Sequence, residues 1–549
     1  MAVFDIVVAD GRIVDGCGNP WYRGDLGIRG RRVAAVAPPG TLRGRRIIDA
    51  GDRYVTPGFV DPHTHSDISI IAYPRAESAV FQGVTTHVTG NCGMGAAPVT
   101  DRFRAEARAE WEYYWSVDVD WSWRSFAQYL RAVEARGTAI NIAPLVGHGA
   151  LRIAAMGNAE RRATSREIAV MCRLLERSMR AGAHGLSTGL VYPPGCFAAT
   201  DEIVALCEVV AKYHGIYTSH IRGERETILD AVREAIAIGR AAGVPVEVSH
   251  NAPKWGAGPE AKANLELVEE ARRAGQDVTV DNDSHTDLAP RLSRALPQTF
   301  LGLPHERLMA LLADPEQRPN VRRAVESDTP PGAGYAGLVK HGRFDRIVVL
   351  YAPNQPHLRG QTVAKIAAVR GADPFDTFLD LIVEEDDRVV GIFDYIDEAE
   401  IRRVLTHPLT MVCSDGFVMP PAEGLDDPAL YWPCSYGEYP GILERYVRDE
   451  PVLRLEEAVR KMTSFPAQRF GLTDRGALRP GLAADVLVFD LERLRDRATN
   501  PYPHSYPFVN IPHAYAEGMD LVLVNGVVVI DEGRHTGELP GRVLRHHGR

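Results

Sequence analysis

Residues 54–65 read Tyr54-Val55-Thr56-Pro57-Gly58-Phe59-Val60-Asp61-Pro62-His63-Thr64-His65, a short apolar run that closes on two histidines. In an extended chain, side chains two apart project to the same side, so both imidazoles can reach one metal ion. Taken alone, a His-x-His pair reads more readily as two surface or core histidines. Its meaning depends on whether other strands end in the same way.

Downstream of Tyr54–Val60, further short apolar runs alternate with amphipathic stretches: Val84–Thr89, Ala139–Val146, Gly185–Leu190, Gly215–His220, Pro245–Ser249, Asp277–Asp281 and Leu409–Cys413. Helical periodicity fills most gaps, as in Ser165–Arg180, Asp201–Tyr213, Glu226–Ala242 and Ala261–Arg273. Buried strands alternating with helices are the pattern of βα units on a parallel sheet. Eight such units predict an α/β fold of the (β/α)8 TIM-barrel type, with functional residues at the C-terminal strand ends. The interval from Asp281 to Leu409 is much longer than one helix and predicts an insertion, about 285–405, that lids the site.

Both ends of the chain read as β. Asp5–Ala9, Gly11–Asp15, Leu26–Arg29 and Arg32–Ala37 lie near the start, and Asp485–Asp490, Asp520–Asn525 and Gly526–Asp531 near the finish, with Asn525-Gly526 a hairpin turn signal. Neither end can bury a two-sheet core alone, so residues 1–53 and 476–549 are expected to form one small β-sandwich around a barrel spanning 54–475.

With 549 residues, 45% hydrophobic and 24% charged, the chain has the balance of a globular protein of more than one structural unit. Its net charge of −10 argues against nucleic-acid or membrane-surface partners. No apolar run approaches the roughly 18 residues of a membrane span. The start, MAVFDIVVADGRIVDG, reads as strands and not as a signal peptide. Seven cysteines without a CxxC pair predict free thiols and a cytoplasmic location.

The strand ends carry the chemistry. Besides His63 and His65, strand two runs into Gly90-Asn91-Cys92-Gly93, strand five ends in Ser219-His220, strand six in Ser249-His250 and strand eight in Ser414-Asp415-Gly416. Each has a bland reading: Cys92 as a small buried hydrophobe, His220 or His250 as a structural residue, Asp415 as a cap. Together, imidazole, thiolate and carboxylate at five strand ends are a zinc-type ligand set.

These motifs resemble the amidohydrolase superfamily, and within it the D-aminoacylase (N-acyl-D-amino-acid deacylase) branch. The resemblance runs through PGFVDPHTH, GVTTHVTGNCG, NIAPLVGHGALR, GLSTGLVYPPG, SHIRGE, the Ser-His at 249–250, CSDG and RKMTSFPAQRFGLTDRGALRPGLAADVLVFD. The wider superfamily often carries a metal-bridging carboxylated lysine on strand four; His184-Gly185-Leu186-Ser187-Thr188-Gly189 has none. In the branch a cysteine after strand two serves instead, and Cys92 stands in that motif. The resemblance implies a tight zinc held by Cys92, His220 and His250, and a weaker second position lined by His63, His65 and Asp415. It also implies hydrolysis of an amide in a small-molecule substrate. Zinc can lower the pKa of its bound water to about 7 and act as Lewis acid. Asp415, the acidic group at a strand end with this surrounding set, is assigned the acid/base role.

On the substrate side the resemblance implies roles for Tyr192 and Lys254, although His250-Asn251-Ala252-Pro253-Lys254 is two residues longer than the branch's spacing. Where the branch has a His-Pro-Arg stretch whose arginine pairs with the substrate carboxylate, this chain reads Trp432-Pro433-Cys434. Loss of a planar two-pronged donor argues against a free α-carboxylate in the natural substrate. Strand seven departs as well, in Val280-Asp281-Asn282-Asp283-Ser284-His285, which brings His285 close to the site. Arg222 matches the branch as a substrate or loop-anchoring residue, and His148 reads as structural. The aromatic run Trp111, Tyr113, Tyr114, Trp115, Trp121, Trp123 covers substrate or packs a lid or subunit contact.

The alternative activity is hydrolysis of another amide, or a cyclic one, lacking the free carboxylate. The missing strand-four lysine argues against the dihydropyrimidinase type, and Glu224, four residues after His220, is a weak signal for a deaminase. A non-catalytic protein of the same fold ranks last, because all six ligand residues are present.

Overall fold

The computed structural model describes residues 3–114, 119–301, 303–327, 334–419, 432–498 and 514–548. The fold is α/β. Parallel pairing runs Phe59–Asp61, Val84–Thr89, Asn141–Pro144 in one sheet, and Val146–Gly147, Gly185–Gly189, Ile216–His220, Val246–Val248, Val278–Asn282, Thr410–Val412 in another. The predicted strand Ala139–Val146 is thus divided at Leu145, whose N–H reaches back to Thr89 O at 2.8 Å while the following residues pair onward. A parallel bridge between Thr64 and Gly416 links the ends of the first and last of these strands.

The helices between them are held by ordinary forces. In Ser165–Arg180, Thr164 accepts from Glu167 N in a capping box, and Met171, Leu175, Ser178 and Met179 form the buried stripe at helical spacing. Loss of such a cap costs about 1 kcal/mol.

Strands from both ends of the chain meet in one sheet, where a small two-sheet sandwich is the expectation. Nine strands share a single hydrogen-bonded sheet, and the joint is Val486–Phe489 paired antiparallel with Tyr54–Pro57. The predicted strand Tyr54–Val60 is therefore two. Tyr54–Pro57 belongs to the terminal sheet and Phe59–Asp61 to the parallel strands. The chain passes between them at Gly58, where a Cβ would lie 2.2 Å from Thr85 Oγ1. The terminal sheet has its own core, with Val8, Ile13, Leu26 and Val55 from one end against Val486, Val488 and Leu523 from the other. The last residues leave that sheet: Pro540 and Val543 bridge to Thr138 and Ile142 beside the parallel strands.

The insertion is present, with an apolar core built from residues such as Leu312, Phe344, Phe378 and Phe393 and an antiparallel sheet of Asp287–Leu288, Ile347–Tyr351 and Val390–Asp394. It ends earlier than predicted. Helix Glu398–Thr406 buries Ile401, Val404 and Leu405 in the core of the parallel strands. Among the described residues, no helix is long and apolar enough to cross a membrane.

Candidate active site

Each predicted ligand sits where a strand gives way to a loop. Three of these turns need left-handed backbone, with φ of 51° at Cys92, 32° at His250 and 50° at Asp415. Such a conformation costs a non-glycine residue on the order of 1–3 kcal/mol and persists where the surroundings impose it. They do so here. Ser187 Oγ accepts from Gly93 N at 3.0 Å and donates to Gly90 O, clasping both sides of the cysteine turn. His250 N donates to Asp281 Oδ1 at 2.7 Å.

The donor atoms converge on the Cys92 sulfur, which lies 3.1 Å from His63 Nε2, 3.6 Å from His220 Nδ1 and 3.5 Å from His250 Nε2. Asp415 Oδ1 lies 2.9 Å from His65 Nε2 and 3.3 Å from His63 Nε2. Two groups result, His63–His65–Cys92–Asp415 and Cys92–His220–His250. In each, ligand atoms lie within 4.8 Å of one another, and Cys92 belongs to both. All six predicted ligands are brought together.

This donor set fits a metal ion. His65 Nε2, His220 Nδ1 and His250 Nε2 all point into the space around Cys92 Sγ and Asp415 Oδ1, which leaves these donors facing one another. Burial opposes ionisation of Cys92, yet His63, His220 and His250 hold the thiol well below its ordinary range. A buried thiolate among imidazoles and a carboxylate is the environment that zinc-type ions select.

A ring of carboxylates stands behind the ligands, and sequence reasoning missed it. Asp61 accepts from His63 N and Ser414 N, each at 3.2 Å, and from Ser414 Oγ at 2.5 Å, tying the first strand end to the last. Burial pushes its carboxyl up to about 7, against the pull of Ser414 and His63. Asp281 Oδ2 faces His63 Nδ1 at 3.3 Å. Glu224 Oε1 lies 3.6 Å from His220 Nε2 and 3.5 Å from His250 Nδ1. The available signal was position, since these acids occupy or follow strand ends as the ligands do.

The predicted substrate residues are distributed differently. Tyr192 Oη donates to Cys92 O at 2.7 Å, and its ring lies 5.2 Å from that of His220. It lines a cleft with Cys92, Met94, Pro98, Ile153 and Pro194. Lys254 is buried; its Nζ donates to His250 O at 3.2 Å and sits 5.6 Å above the Tyr395 ring. Arg222 directs its guanidinium to Glu234, at 2.8 and 3.0 Å, and to Cys196 O. His285 Nδ1 lies 2.7 Å from Glu438 Oε2; burial works against its charge, but Glu438 raises its pKa to about 9. Cys434 is buried at the start of helix Cys434–Ile442, its thiol pushed up by burial and by Asp283 and Asp415. Trp432 Nε1 donates to Asp415 O at 2.9 Å.

His148 is structural, as expected, with Nε2 2.9 Å from Glu202 Oε1, which Arg152 also grips at 2.7 Å. Trp121 and Trp123 stack at 5.3 Å within the core. The side chains of Trp111, Tyr113 and Tyr114, and all of Trp115, lie outside the described residues.

Parallel strands with a shared-cysteine donor cluster at their ends define a candidate metal-site protein, and comparison with known proteins gives its family. Residues 46–530 match the amidohydrolase family, and the chain belongs to it. It is thus a hydrolase of carbon–nitrogen bonds other than peptide bonds. The chain is 34% identical to D-aminoacylase of Alcaligenes xylosoxydans xylosoxydans, covering 98% of this chain and 97% of that one. It is equally similar, at 34%, to N-acyl-D-glutamate deacylase of the same organism, covering 98% of this chain and 96% of that one. A crystal structure of N-acyl-D-glutamate deacylase from Bordetella bronchiseptica, with zinc and a phosphonate mimic of the tetrahedral intermediate, superposes with TM-score 0.76 at 32% identity, covering 99% of this chain and 100% of that one.

Proposed function

We propose that this chain is a zinc-dependent deacylase that cleaves the amide of an N-acyl-D-amino-acid-like substrate to a carboxylic acid and an amine. The observation that carries the reading is the pair of donor groups sharing Cys92 Sγ. Cys92, His220 and His250 would hold the tight zinc, with His63, His65 and Asp415 lining a second, weaker position. When bound, zinc supplies Lewis acidity and makes water acidic enough to ionise near neutral pH. Asp415 would take the proton of the attacking water and deliver it to the leaving nitrogen. Its side chain is 31% exposed, the open face of an otherwise buried cluster. Tyr192, Lys254, Arg222 and His285 are candidates for positioning substrate, of which Tyr192 has the firmest support, because its ring lines the cleft beside Cys92.

The architecture that serves this chemistry is, in our reading, a (β/α)8 barrel over roughly residues 54–475. Two seams support closure: the shared segment Asn141–Gly147 and the Thr64–Gly416 bridge. The inserted unit would cap the site, since Trp255 N donates to Tyr395 O at 2.8 Å and Gly334 N to Glu224 Oε2 at 3.0 Å. Residues 1–53 and 476–549 would form the accompanying β domain. Seven free cysteines favour a reducing, cytoplasmic setting.

A second reading, an amide without a free α-carboxylate, is favoured by Cys434. This neutral, buried thiol stands close enough to Asp283 and Asp415 to feel their charge. The test is a panel of N-acetyl-D-amino acids, their carboxamides, and N-acetyl-L controls. Turnover of the free D-acids supports the first reading, turnover of blocked compounds alone supports the second, and turnover of none rejects both.

A further inference from the structure

Glu224 belongs to SHIRGE, in the loop after strand Ile216–His220, and is 8% exposed. The rings of His220 and His250 lie edge to face, 4.3 Å apart. Each turns one nitrogen to the Cys92 sulfur, Nδ1 of His220 at 3.6 Å and Nε2 of His250 at 3.5 Å. Each turns its other nitrogen to one and the same atom, Glu224 Oε1, at 3.6 Å from His220 Nε2 and 3.5 Å from His250 Nδ1. The two imidazoles thus span a gap between a thiol sulfur and a carboxylate oxygen.

A neutral imidazole carries its proton on one nitrogen only, and the partner of that nitrogen decides which. An acceptor at the outer nitrogens leaves the inner lone pairs directed at the Cys92 side. The contacts are longer than formed hydrogen bonds, and His220 Nε2 is a buried polar atom with no hydrogen-bond partner among the described residues. The acceptor that faces it is Glu224 Oε1, at 3.6 Å. The carboxylate is anchored in turn: Oε2 accepts from Gly334 N at 3.0 Å, its backbone O accepts from Lys254 N at 3.0 Å, and Lys254 Nζ stands 3.9 Å from Oε1. Lys254 itself bridges to Ile396.

We propose that Glu224 is a positioning residue: its single oxygen Oε1 orients both His220 and His250 for the metal and, through Gly334 and Lys254, couples them to the inserted unit. This rests on the zinc reading above. Outer-shell carboxylates of this kind typically contribute 10–100-fold to metal affinity.

The test measures the zinc dissociation constant of wild type and Glu224→Gln by competition with a chromophoric chelator, with metal-free melting curves alongside. Glutamine keeps an acceptor for Gly334 N and loses the shared anionic oxygen. The expected result is a dissociation constant raised about 10–100-fold in a variant that still folds without metal. A value within about twofold of wild type overturns the proposal. Should the variant fail to fold, nitrogen-15 NMR of histidine-labelled, zinc-loaded wild type decides: the proposal requires the proton on Nε2 of His220 and Nδ1 of His250, and the reverse at either overturns it. Wild type that binds no zinc removes the zinc reading and this proposal together, whereas tight wild-type binding with an unaffected variant removes this proposal alone.

Discussion

Replacing Asp415 by asparagine isolates its chemistry from its structure. The backbone there is left-handed, with φ of 50°, a region that asparagine tolerates nearly as well as aspartate. The amide oxygen can still accept from His65 Nε2, now 2.9 Å from Oδ1. Cys92, His220 and His250 are untouched, so the proposed tight metal position keeps its three donors. What disappears is the ability to hold a proton in transit. General acid–base groups contribute about 10²–10⁴ in rate, equivalent to roughly 2.7–5.4 kcal/mol at 1.36 kcal/mol per tenfold. The expectation is a kcat lower by that factor, KM little changed and the tightly held zinc retained. Zinc by mass spectrometry and initial rates on the best amide of the panel provide the assay. Near-normal kcat in a zinc-loaded Asp415→Asn enzyme would refute the assignment.

Other expectations follow from the surrounding residues. In Asp281→Ala, the buried His250 N loses its acceptor and the contact to His63 Nδ1 is removed; a buried donor left unpaired costs about 1–3 kcal/mol, so urea unfolding of the metal-free protein should show that loss, and an unchanged midpoint would argue against the contact. Glu202→Ala strands the fully buried Arg152 guanidinium, for which about 3–5 kcal/mol of destabilisation is expected; a difference below about 1 kcal/mol would contradict it. Lys461 is buried, donating to His407 O and Thr410 O, and burial lowers its pKa to about 7. The unfolded lysine titrates near 10.4, so between these values the unfolded chain binds more protons and stability contributed at this site rises with pH. Unfolding free energies of wild type and Lys461→Met should therefore diverge in favour of wild type from pH 7 to 10, and parallel curves would count against the shift.

The ligand cluster was legible because each member sits at a strand end, where alternation of apolar runs and helices already points to function. Cys92 could be placed by its motif, and the shortage of a strand-four lysine by its absence from 184–189. The acids behind the ligands were harder. Asp61 looks like part of the His-x-His motif, Asp281 like the polar end of a strand, and Glu224 like a weak deaminase signal, until the strands are brought side by side. The division at Gly58 did have a signal in the sequence, the Pro57-Gly58 turn pair inside Tyr54–Val60, and Thr85 pressed against Gly58 shows where one sheet gives way to the other. The insertion's end near 405 rests only on the length of the interval before Leu409, which does not say where its last helix packs; Ile401 and Val404 of Glu398–Thr406 turn to the parallel strands. Arg222 matched a motif, but Glu234, a helical turn and more away on Ile228–Ala242, takes its guanidinium.

Amide hydrolysis by this chain is proposed to depend on a metal held through Cys92. Stripping the protein with a chelator and returning zinc stepwise, while following hydrolysis of the best panel substrate, tests it most directly. The account predicts that activity disappears on stripping, returns in proportion to added zinc up to about one equivalent, and does not return in Cys92→Ala. Full activity in the stripped protein, or zinc-restored activity in Cys92→Ala equal to wild type, would contradict it.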